Sequence, residues 1–153
     1  MILVCGGAGY IGSHTVYQLV DKGEDVIIVD NLETGHIEAV NPKAKFYKVD
    51  IRNEEELDKV FKENDITEVI HFAANSLVGE SMTNPLKYYN NNVHGTEVLL
   101  KVMIANNVKK IVFSSTAATY GEATKMPIVE TDRTEPTNAY GETKLAMEKM
   151  MKW

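Results

Sequence analysis

Gly6-Gly7-Ala8-Gly9-Tyr10-Ile11-Gly12 follows the apolar run Ile2–Cys5 directly, and Asp30 lies 18 positions after its last glycine. Its first, fourth and seventh residues are glycines, and a helical pattern begins within it. Glycine permits a tight turn, and it lets backbone N–H groups and the positive end of the helix dipole approach a phosphate. The stretch therefore predicts a loop that binds the pyrophosphate of a dinucleotide. The alternative is a glycine turn that joins strand to helix without a ligand.

Asp30 ends the β-branched run Val26–Val29, which has the composition of a strand buried on both faces. An acid at roughly this distance from such a loop accepts hydrogen bonds from the adenosine ribose hydroxyls and repels a 2′-phosphate. We therefore expect NAD rather than NADP as the cofactor. The alternative is that Asp30 is a solvated residue at the end of a strand.

The composition indicates one soluble globular domain, because the chain has 153 residues with 44% hydrophobic and 25% charged side chains. The net charge of −6 argues against nucleic acid or an anionic membrane as a partner. The single Cys5 excludes an internal disulfide, and no Cys/His cluster predicts a metal site. No apolar run approaches the length of a membrane span and no signal peptide is evident, so we expect a cytoplasmic protein.

Strand and helix patterns alternate along the chain. The predicted strands are 1–5, 25–30, 45–50, 67–73 and 109–115, and the predicted helices are 10–22, 53–63, 86–106 and 138–152. Asn53 with Glu56 three residues later resembles a capping box at the start of the second helix. The alternation predicts an α/β fold of the Rossmann type, a doubly wound parallel sheet with helices on both faces and ligands at the carboxyl ends of its strands.

The helical periodicity after Lys144 continues to Trp153 without a glycine or proline stop signal. We therefore expect residues 1–153 to be one dinucleotide-binding domain that is truncated before a substrate-binding part.

Tyr140 and Lys144 lie four residues apart in a predicted helix, so both project from one face. A nearby ammonium favours the phenolate form of a tyrosine, which can then take a proton from a substrate hydroxyl while hydride leaves the same carbon. Thr116 follows the predicted strand Ile111–Phe113, where its hydroxyl can hold the reacting oxygen. The alternatives are a solvated Tyr/Lys pair and hydroxyls that satisfy backbone groups at a strand end.

Several stretches together resemble the extended short-chain dehydrogenase/reductase family, and within it the members that epimerise UDP-hexoses. The resemblance covers the whole chain and is carried by Gly6–His14, Asp30-Asn31, Asp50-Ile51, His71–Ala74, Val78–Ser81, Asn91–Val93, Ser114–Gly121 and Tyr140–Lys144. It implies tightly held NAD and a UDP-sugar substrate. Tyr140 would take the proton of the sugar 4-hydroxyl while hydride passes to the nicotinamide, and return of hydride to the other face of a 4-keto sugar would invert C4.

The resemblance also implies roles for individual residues. Thr116, Tyr140 and Lys144 would be catalytic, and Tyr140 and Lys144 would also contact the cofactor. The remaining cofactor-binding residues would be Gly6, Gly9, Tyr10, Ile11 and Gly12 at the pyrophosphate, Asp30, Asn31, Leu32, Glu33, Thr34 and Gly35 around the ribose, Asp50 and Ile51 at the adenine, and Phe72, Ala73, Ala74, Asn75, Ser76 and Asn91 along the molecule. The family further implies a homodimer formed through the helices at 86–106 and 138–152.

Two departures from the family pattern bear on function. Ala74-Asn75-Ser76 stands where some epimerases have Gly-Leu-Lys, which predicts a weaker hold on NAD. Thr116–Thr119 lacks the acidic pair of the related dehydratases, and this argues against an elimination reaction. The alternatives to an epimerase are an inactive NAD-binding fragment, another family member that acts on a nucleotide sugar, and an assembly module that recruits a partner.

Overall fold

The computed structural model describes residues 1–153, which divide into two compact units. The first unit comprises Met1–Ala73 and Val98–Ser114, and the second comprises Ala74–Glu97 and Ser115–Trp153. The helices, in chain order, are α1 (Tyr10–Asp21), α2 (Glu54–Lys62), α3 (Val78–Thr83), α4 (Pro85–Tyr88), α5 (Gly95–Ala105) and α6 (Ala139–Lys152). None of these helices has both the length and the apolar character that a bilayer span requires.

The first unit contains one five-stranded sheet in which every neighbouring pair of strands is parallel. Its strands are β1 (Ile2–Cys5), β2 (Val26–Asp30), β3 (Lys45–Lys48), β4 (Glu68–His71) and β5 (Lys110–Phe113). Their order is β3-β2-β1-β4-β5, so the chain builds outward to β3 and then returns to place β4 on the other side of β1. The predicted Rossmann-type sheet is confirmed, and the point where the order reverses lies between β1 and β4, where such folds bind ligands.

Helices cover both faces of this sheet, as predicted. Val4 and Ile28 pack on one face with Val16 of α1, whereas Leu3 and Ile27 pack on the other face. The second face is closed by α2 and by the part of α5 that lies in the first unit, through Leu57, Val60, Phe61, Val98, Leu99, Val102 and Met103. The alternation of β1 and β2 side chains between two apolar layers explains why both strands are apolar throughout.

Asn53 is the N-cap of α2, and its side-chain oxygen accepts a hydrogen bond from the Glu56 backbone N–H at 3.2 Å. The predicted start of this helix is therefore confirmed. Glu54, Glu55 and Glu56 form its acidic first turn, which the helix dipole favours.

The second unit consists of α3, α4, α6 and short helical segments. The predicted helix over 86–106 is wrong in one respect, because Tyr89–His94 is a π-helix between α4 and α5 rather than part of one uniform α-helix. Its wider turns leave Asn91 and Asn92, which are adjacent in sequence, both buried. Helix α3 was not predicted, since six residues are too few to show helical periodicity.

Candidate functional site

The glycine loop of the first unit can be built only from glycine at two positions. Gly6 has a φ of 79°, a backbone conformation that L side chains rarely adopt, and a Cβ there would lie 2.7 Å from the Ala73 nitrogen. A Cβ on Gly12 would collide with the carbonyl oxygen of Gly6. The backbone of the loop therefore packs directly against the end of β4 and against the start of α1, with no side chain between them.

The N-terminus of α1 has no side-chain cap. Gly9 is the N-cap residue, and the first turn of the helix contains no acid. The side chains of Tyr10 and Ile11 in this turn are 83% and 60% exposed. The orphan N–H groups and the positive end of the helix dipole are therefore available to an anion from outside the protein.

Asp30, the last residue of β2, is joined to the glycine loop. Its Oδ2 accepts a hydrogen bond from the Ala8 backbone N–H at 3.0 Å, and its Oδ1 accepts one from the Leu32 N–H at 2.8 Å. Gly35 lies against the same place, because a Cβ on it would be 3.0 Å from Asp30 Oδ1. The structure thus brings the residues expected at the ribose next to those expected at the pyrophosphate, with Glu33 and Thr34 exposed.

Asp50 follows β3 and is held ionised. Arg52 donates hydrogen bonds to it from Nε at 2.8 Å and from Nη2 at 2.5 Å, and Asn31 Nδ2 donates another at 3.0 Å. The Arg52 guanidinium is the main reason that the pKa of Asp50 lies well below its usual range. Ile51 is buried in the core beside it. The hydrogen bond from Asn31 links the segment after β2 to the segment after β3.

Phe72 and Ala73 continue β4 beyond His71. The Phe72 N–H donates to the Cys5 carbonyl at 2.8 Å, which keeps this extension beside the end of β1. Phe72 packs with one apolar layer of the sheet and Ala73 with the other. Burial, and then the charge of Asp30, raise the pKa of the Cys5 thiol to about 12, so it stays protonated and unreactive.

In the second unit, Asn75 and Asn92 are paired. The Asn75 N–H donates to Asn92 Oδ1 at 2.8 Å, and Asn92 Nδ2 donates to the Asn75 carbonyl at 3.0 Å. Asn91 Nδ2 also donates to Asn92 Oδ1 at 3.0 Å. Asn75 Nδ2 is buried without a hydrogen-bond partner, which is uncommon for a native side-chain donor and is consistent with a place for a ligand acceptor. Ala74 is half-buried and Ser76 is exposed.

Tyr140 and Lys144 lie one turn apart in α6. Asn138 caps this helix by accepting from the Gly141 N–H at 2.8 Å, and Ser81 Oγ accepts from the Tyr140 N–H at 3.1 Å. Lys144 is 3% exposed and its Nζ lies 6.0 Å from the centroid of the Tyr140 ring. Burial lowers the pKa of Lys144 to about 8. A desolvated ammonium beside a tyrosine ring is an arrangement typical of functional sites.

Thr116 caps a short 3₁₀ helix, Ala117–Tyr120. Its Oγ1 accepts a hydrogen bond from the Ala118 N–H at 3.1 Å. The carbonyl of Ala118 lies so close to Gly141 that a Cβ on this glycine would be only 2.6 Å from it. The turn that carries Thr116 therefore packs against the residue after Tyr140. The neighbouring Ser115 donates to Glu148 of α6.

Three residues of this arrangement were missed among the predicted site residues: Ser81, Asn92 and Thr143. All three are fully buried polar residues whose hydroxyl or amide groups hold α6. Their sequence signal is weak, because buried and solvated polar residues look alike in a helical pattern.

The comparisons with known proteins agree with this fold. The model of the NAD dependent epimerase/dehydratase family matches residues 2–153. The UDP-glucose 4-epimerase of Lacticaseibacillus casei is 59% identical over 152 residues, which are 99% of this chain and 46% of that protein. A crystal structure of a UDP-glucose 4-epimerase superposes with a TM-score of 0.98 at 58% identity, covering 99% of this chain and 46% of the other.

A complex of the Bifidobacterium longum UDP-glucose 4-epimerase with NAD⁺ and UDP is 46% identical, has a TM-score of 0.95, and is covered over 48% of its length by 99% of this chain. The chain thus spans about half the length of the relatives it matches.

Proposed function

Because the chain belongs to the NAD dependent epimerase/dehydratase family, we propose that it is the NAD-binding part of a UDP-glucose 4-epimerase. The observation that carries this assignment is Lys144, a buried lysine one turn after Tyr140 on α6. A buried ammonium is costly, and its position beside a tyrosine supports a role in proton transfer.

The first unit fits one end of a dinucleotide. The bare N-terminus of α1 and the glycine loop offer backbone N–H groups to the pyrophosphate. The Asp30 carboxylate accepts two backbone hydrogen bonds and keeps lone pairs for the ribose hydroxyls. A 2′-phosphate would face this carboxylate, which supports NAD rather than NADP. Asp50 and Ile51 would lie at the adenine.

In the second unit, Asn75 Nδ2 offers a donor to a ligand. We assign Ala74, Ser76 and Asn91 to the same stretch of the cofactor. When it is bound, NAD supplies the hydride acceptor and donor. Tyr140 would then accept the proton of the sugar 4-hydroxyl, and the Lys144 ammonium would favour the phenolate and bind the nicotinamide ribose. The hydroxyl of Thr116 holds the reacting oxygen.

The substrate in this assignment is UDP-glucose or UDP-galactose. We propose that the uridine diphosphate is gripped by residues of the kind found in the remaining half of the relatives, since this chain spans 46% of one of them. The related dehydratases need an acidic pair, and Thr116–Thr119 contains no acid. Epimerisation is therefore favoured over elimination.

Conversion of UDP-galactose tests the assignment in a chain extended to the length of the relatives. With Tyr140→Phe, we expect the rate to fall by about 10²- to 10⁴-fold while NAD stays bound, because only the proton acceptor is lost. Tyr17→Phe is the matched control, since Tyr17 lies exposed on α1 and its loss leaves the rate unchanged. An extended, folded chain that binds NAD but converts no UDP-galactose would refute the assignment as an epimerase.

A second candidate function is NAD binding without catalysis by the 153-residue chain itself. It is favoured by the share of the relatives that the chain covers, about half. Isothermal titration with NAD should then give binding, while UDP-galactose stays unconverted. Turnover by the purified 153-residue chain would contradict this alternative.

We further propose a homodimer through the helices at 86–106 and 138–152. Leu86 and Ile104 are each 78% exposed and Tyr89 is 42% exposed, so apolar side chains remain for a partner. Val98, Leu99, Val102 and Met103 are not available, because they belong to the core of the first unit. Sedimentation of the wild-type chain and of Leu86→Glu tests this, and a wild-type monomer at all concentrations would contradict it.

A further inference from the structure

Asp30 is hydrogen-bonded to the glycine loop, in addition to its proposed position at the adenosine ribose. Its two carboxylate oxygens accept from two different backbone donors, Ala8 N–H at 3.0 Å and Leu32 N–H at 2.8 Å. Ala8 is 1% exposed and Asp30 is 9% exposed. Water has little access to replace the carboxylate as the acceptor for Ala8, so loss of this carboxylate would leave a buried N–H without a partner.

Ala8 is also held through its carbonyl group, by the segment that follows β2. The Ala8 carbonyl accepts a hydrogen bond from the His36 N–H at 3.0 Å. Gly35 packs on the same residue, because a Cβ there would be 3.0 Å from the Ala8 carbonyl carbon. The segment from Asp30 to His36 therefore binds Ala8, in the middle of the glycine loop, at both its N–H and its carbonyl group.

The backbone of Leu32, which donates the second hydrogen bond to Asp30, is in a strained conformation. Its φ is 61°, in the left-handed region that a leucine rarely enters. The hydrogen bond from its N–H to Asp30 Oδ1 compensates for that conformation. The same carboxylate thus stabilises the strained turn and the glycine loop.

We propose that Asp30 is a positioning residue for the pyrophosphate loop in addition to being a ribose ligand. Recognition of the ribose and the geometry of the phosphate site are then coupled through one side chain. A substitution that removes the carboxylate loosens the loop. The variant therefore binds NAD more weakly and gains no affinity for NADP. The coupling to NAD rests on the proposed function, whereas the effect on the loop does not.

The ligand-free chain provides the first test. In ¹⁵N-labelled Asp30→Ala, we expect amide hydrogen exchange at Ala8 to accelerate by about tenfold or more, because its buried acceptor is gone. Exchange at Ile28 in the middle of β2 should keep its wild-type rate. Asp50→Ala is the matched control, since that carboxylate also follows a strand but binds Arg52 and Asn31 rather than the loop. Its Ala8 exchange should equal that of the wild type.

Asp30→Asn keeps the test decisive if the alanine variant does not fold. An asparagine supplies one acceptor oxygen for two donors, so either Ala8 or Leu32 should lose protection. Wild-type protection at both amides in this variant would overturn the positioning role.

Titration with NAD and with NADP provides the second test. We expect Asp30→Ala to bind NAD at least about tenfold more weakly and to gain no affinity for NADP. Unchanged Ala8 exchange together with a rise in NADP affinity would show that Asp30 acts on the ribose alone. A wild-type chain that binds neither nucleotide would refute the proposed function, while the exchange results would still decide the role of Asp30 in the loop.

Discussion

Asn92 Nδ2 donates a hydrogen bond to Thr143 Oγ1 over 3.0 Å, and this bond connects the π-helix of the second unit to α6. Thr143 Oγ1 in turn donates to the carbonyl of Tyr140 at 2.7 Å. Both side chains are fully buried. The Tyr140 carbonyl is therefore linked, through the Thr143 hydroxyl, to the buried amide of Asn92 in the π-helix.

Replacing Asn92 should be costly. Asn92→Ala removes the acceptor for the part-buried Asn75 N–H and the donor to the buried Thr143 Oγ1. We expect the free energy of unfolding to fall by about 2–4 kcal/mol. Denaturation in urea, followed by circular dichroism, measures this change.

The control for this variant is Asn106→Ala in the first unit. Asn106 also makes two side-chain hydrogen bonds, to Asp58 Oδ1 and to the Val102 carbonyl, but it is only half-buried. Water replaces these bonds, so we expect a loss of about 1 kcal/mol or less. Equal losses in the two variants would mean that burial of Asn92 adds nothing to the second unit.

Lys144 should make the free energy of unfolding depend on pH in the alkaline range. Its pKa in the folded chain is about 8, below its ordinary value of 10.5. Between these two values the unfolded chain binds the extra proton, so the stability of the folded state rises as the pH rises through this window. Lys144→Met has no such group and should be more stable than the wild type at pH 7, by about 1–3 kcal/mol.

Urea denaturation of both proteins at several values between pH 7 and pH 10.5 tests this, and the difference between them should shrink as the pH increases. Lys149→Met is the control, since Lys149 is exposed on the same helix. A constant difference between wild type and Lys144→Met across this range would show that the Lys144 ammonium is not penalised by burial.

Gly12→Ala should disrupt the glycine loop. Its Cβ would meet the Gly6 carbonyl oxygen, and the Gly7 Cα would lie 2.9 Å away. Because these are backbone atoms, the loop must move, and we expect NAD binding to be lost with a destabilisation of about 1–3 kcal/mol. Gly79→Ala is the matched control, as no atom lies within 4 Å of its Cβ position. Calorimetric titration with NAD that finds equal affinity in both variants would contradict a close-packed loop.

Asn53→Ala should remove the cap of α2. The side chain accepts from the Glu56 N–H, and the loss of such a cap costs about 1 kcal/mol. Asn84 stands at the N-cap of α4 without a side-chain hydrogen bond, so Asn84→Ala should change stability by less than about 0.5 kcal/mol. Thermal denaturation distinguishes the two variants by their midpoints.

Much of the first unit could be predicted because its signals are local. The run Val26–Asp30 is buried at every position, and an apolar strand that ends in an acid is legible from its residues alone. Strand lengths were overestimated at β3 and β4, since apolar character continues beyond the strand ends, and at β5, where the predicted strand included the polar Ser114 and Ser115. Val49 and Phe72 are examples, because both are apolar and both lie beyond their strands.

The second unit was harder to predict because its decisive contacts join distant segments. Ser81 accepts from the Tyr140 N–H, which is 59 residues away in the chain, and no pattern near either residue reveals this. The π-helix also escaped prediction, since the apolar spacing around it fits an α-helix equally well.

By itself the sequence determined the order of the five strands, the glycine loop and its distance to Asp30, and the Tyr140–Lys144 spacing, because each depends on periodicity or on residues close together in the chain. Only the tertiary structure decided that Asp30 grips Ala8, that Lys144 is buried, and that Asn92 holds α6. Burial and hydrogen-bond partners depend on which distant segments pack together, and a side chain carries no local sign of the neighbour it will meet.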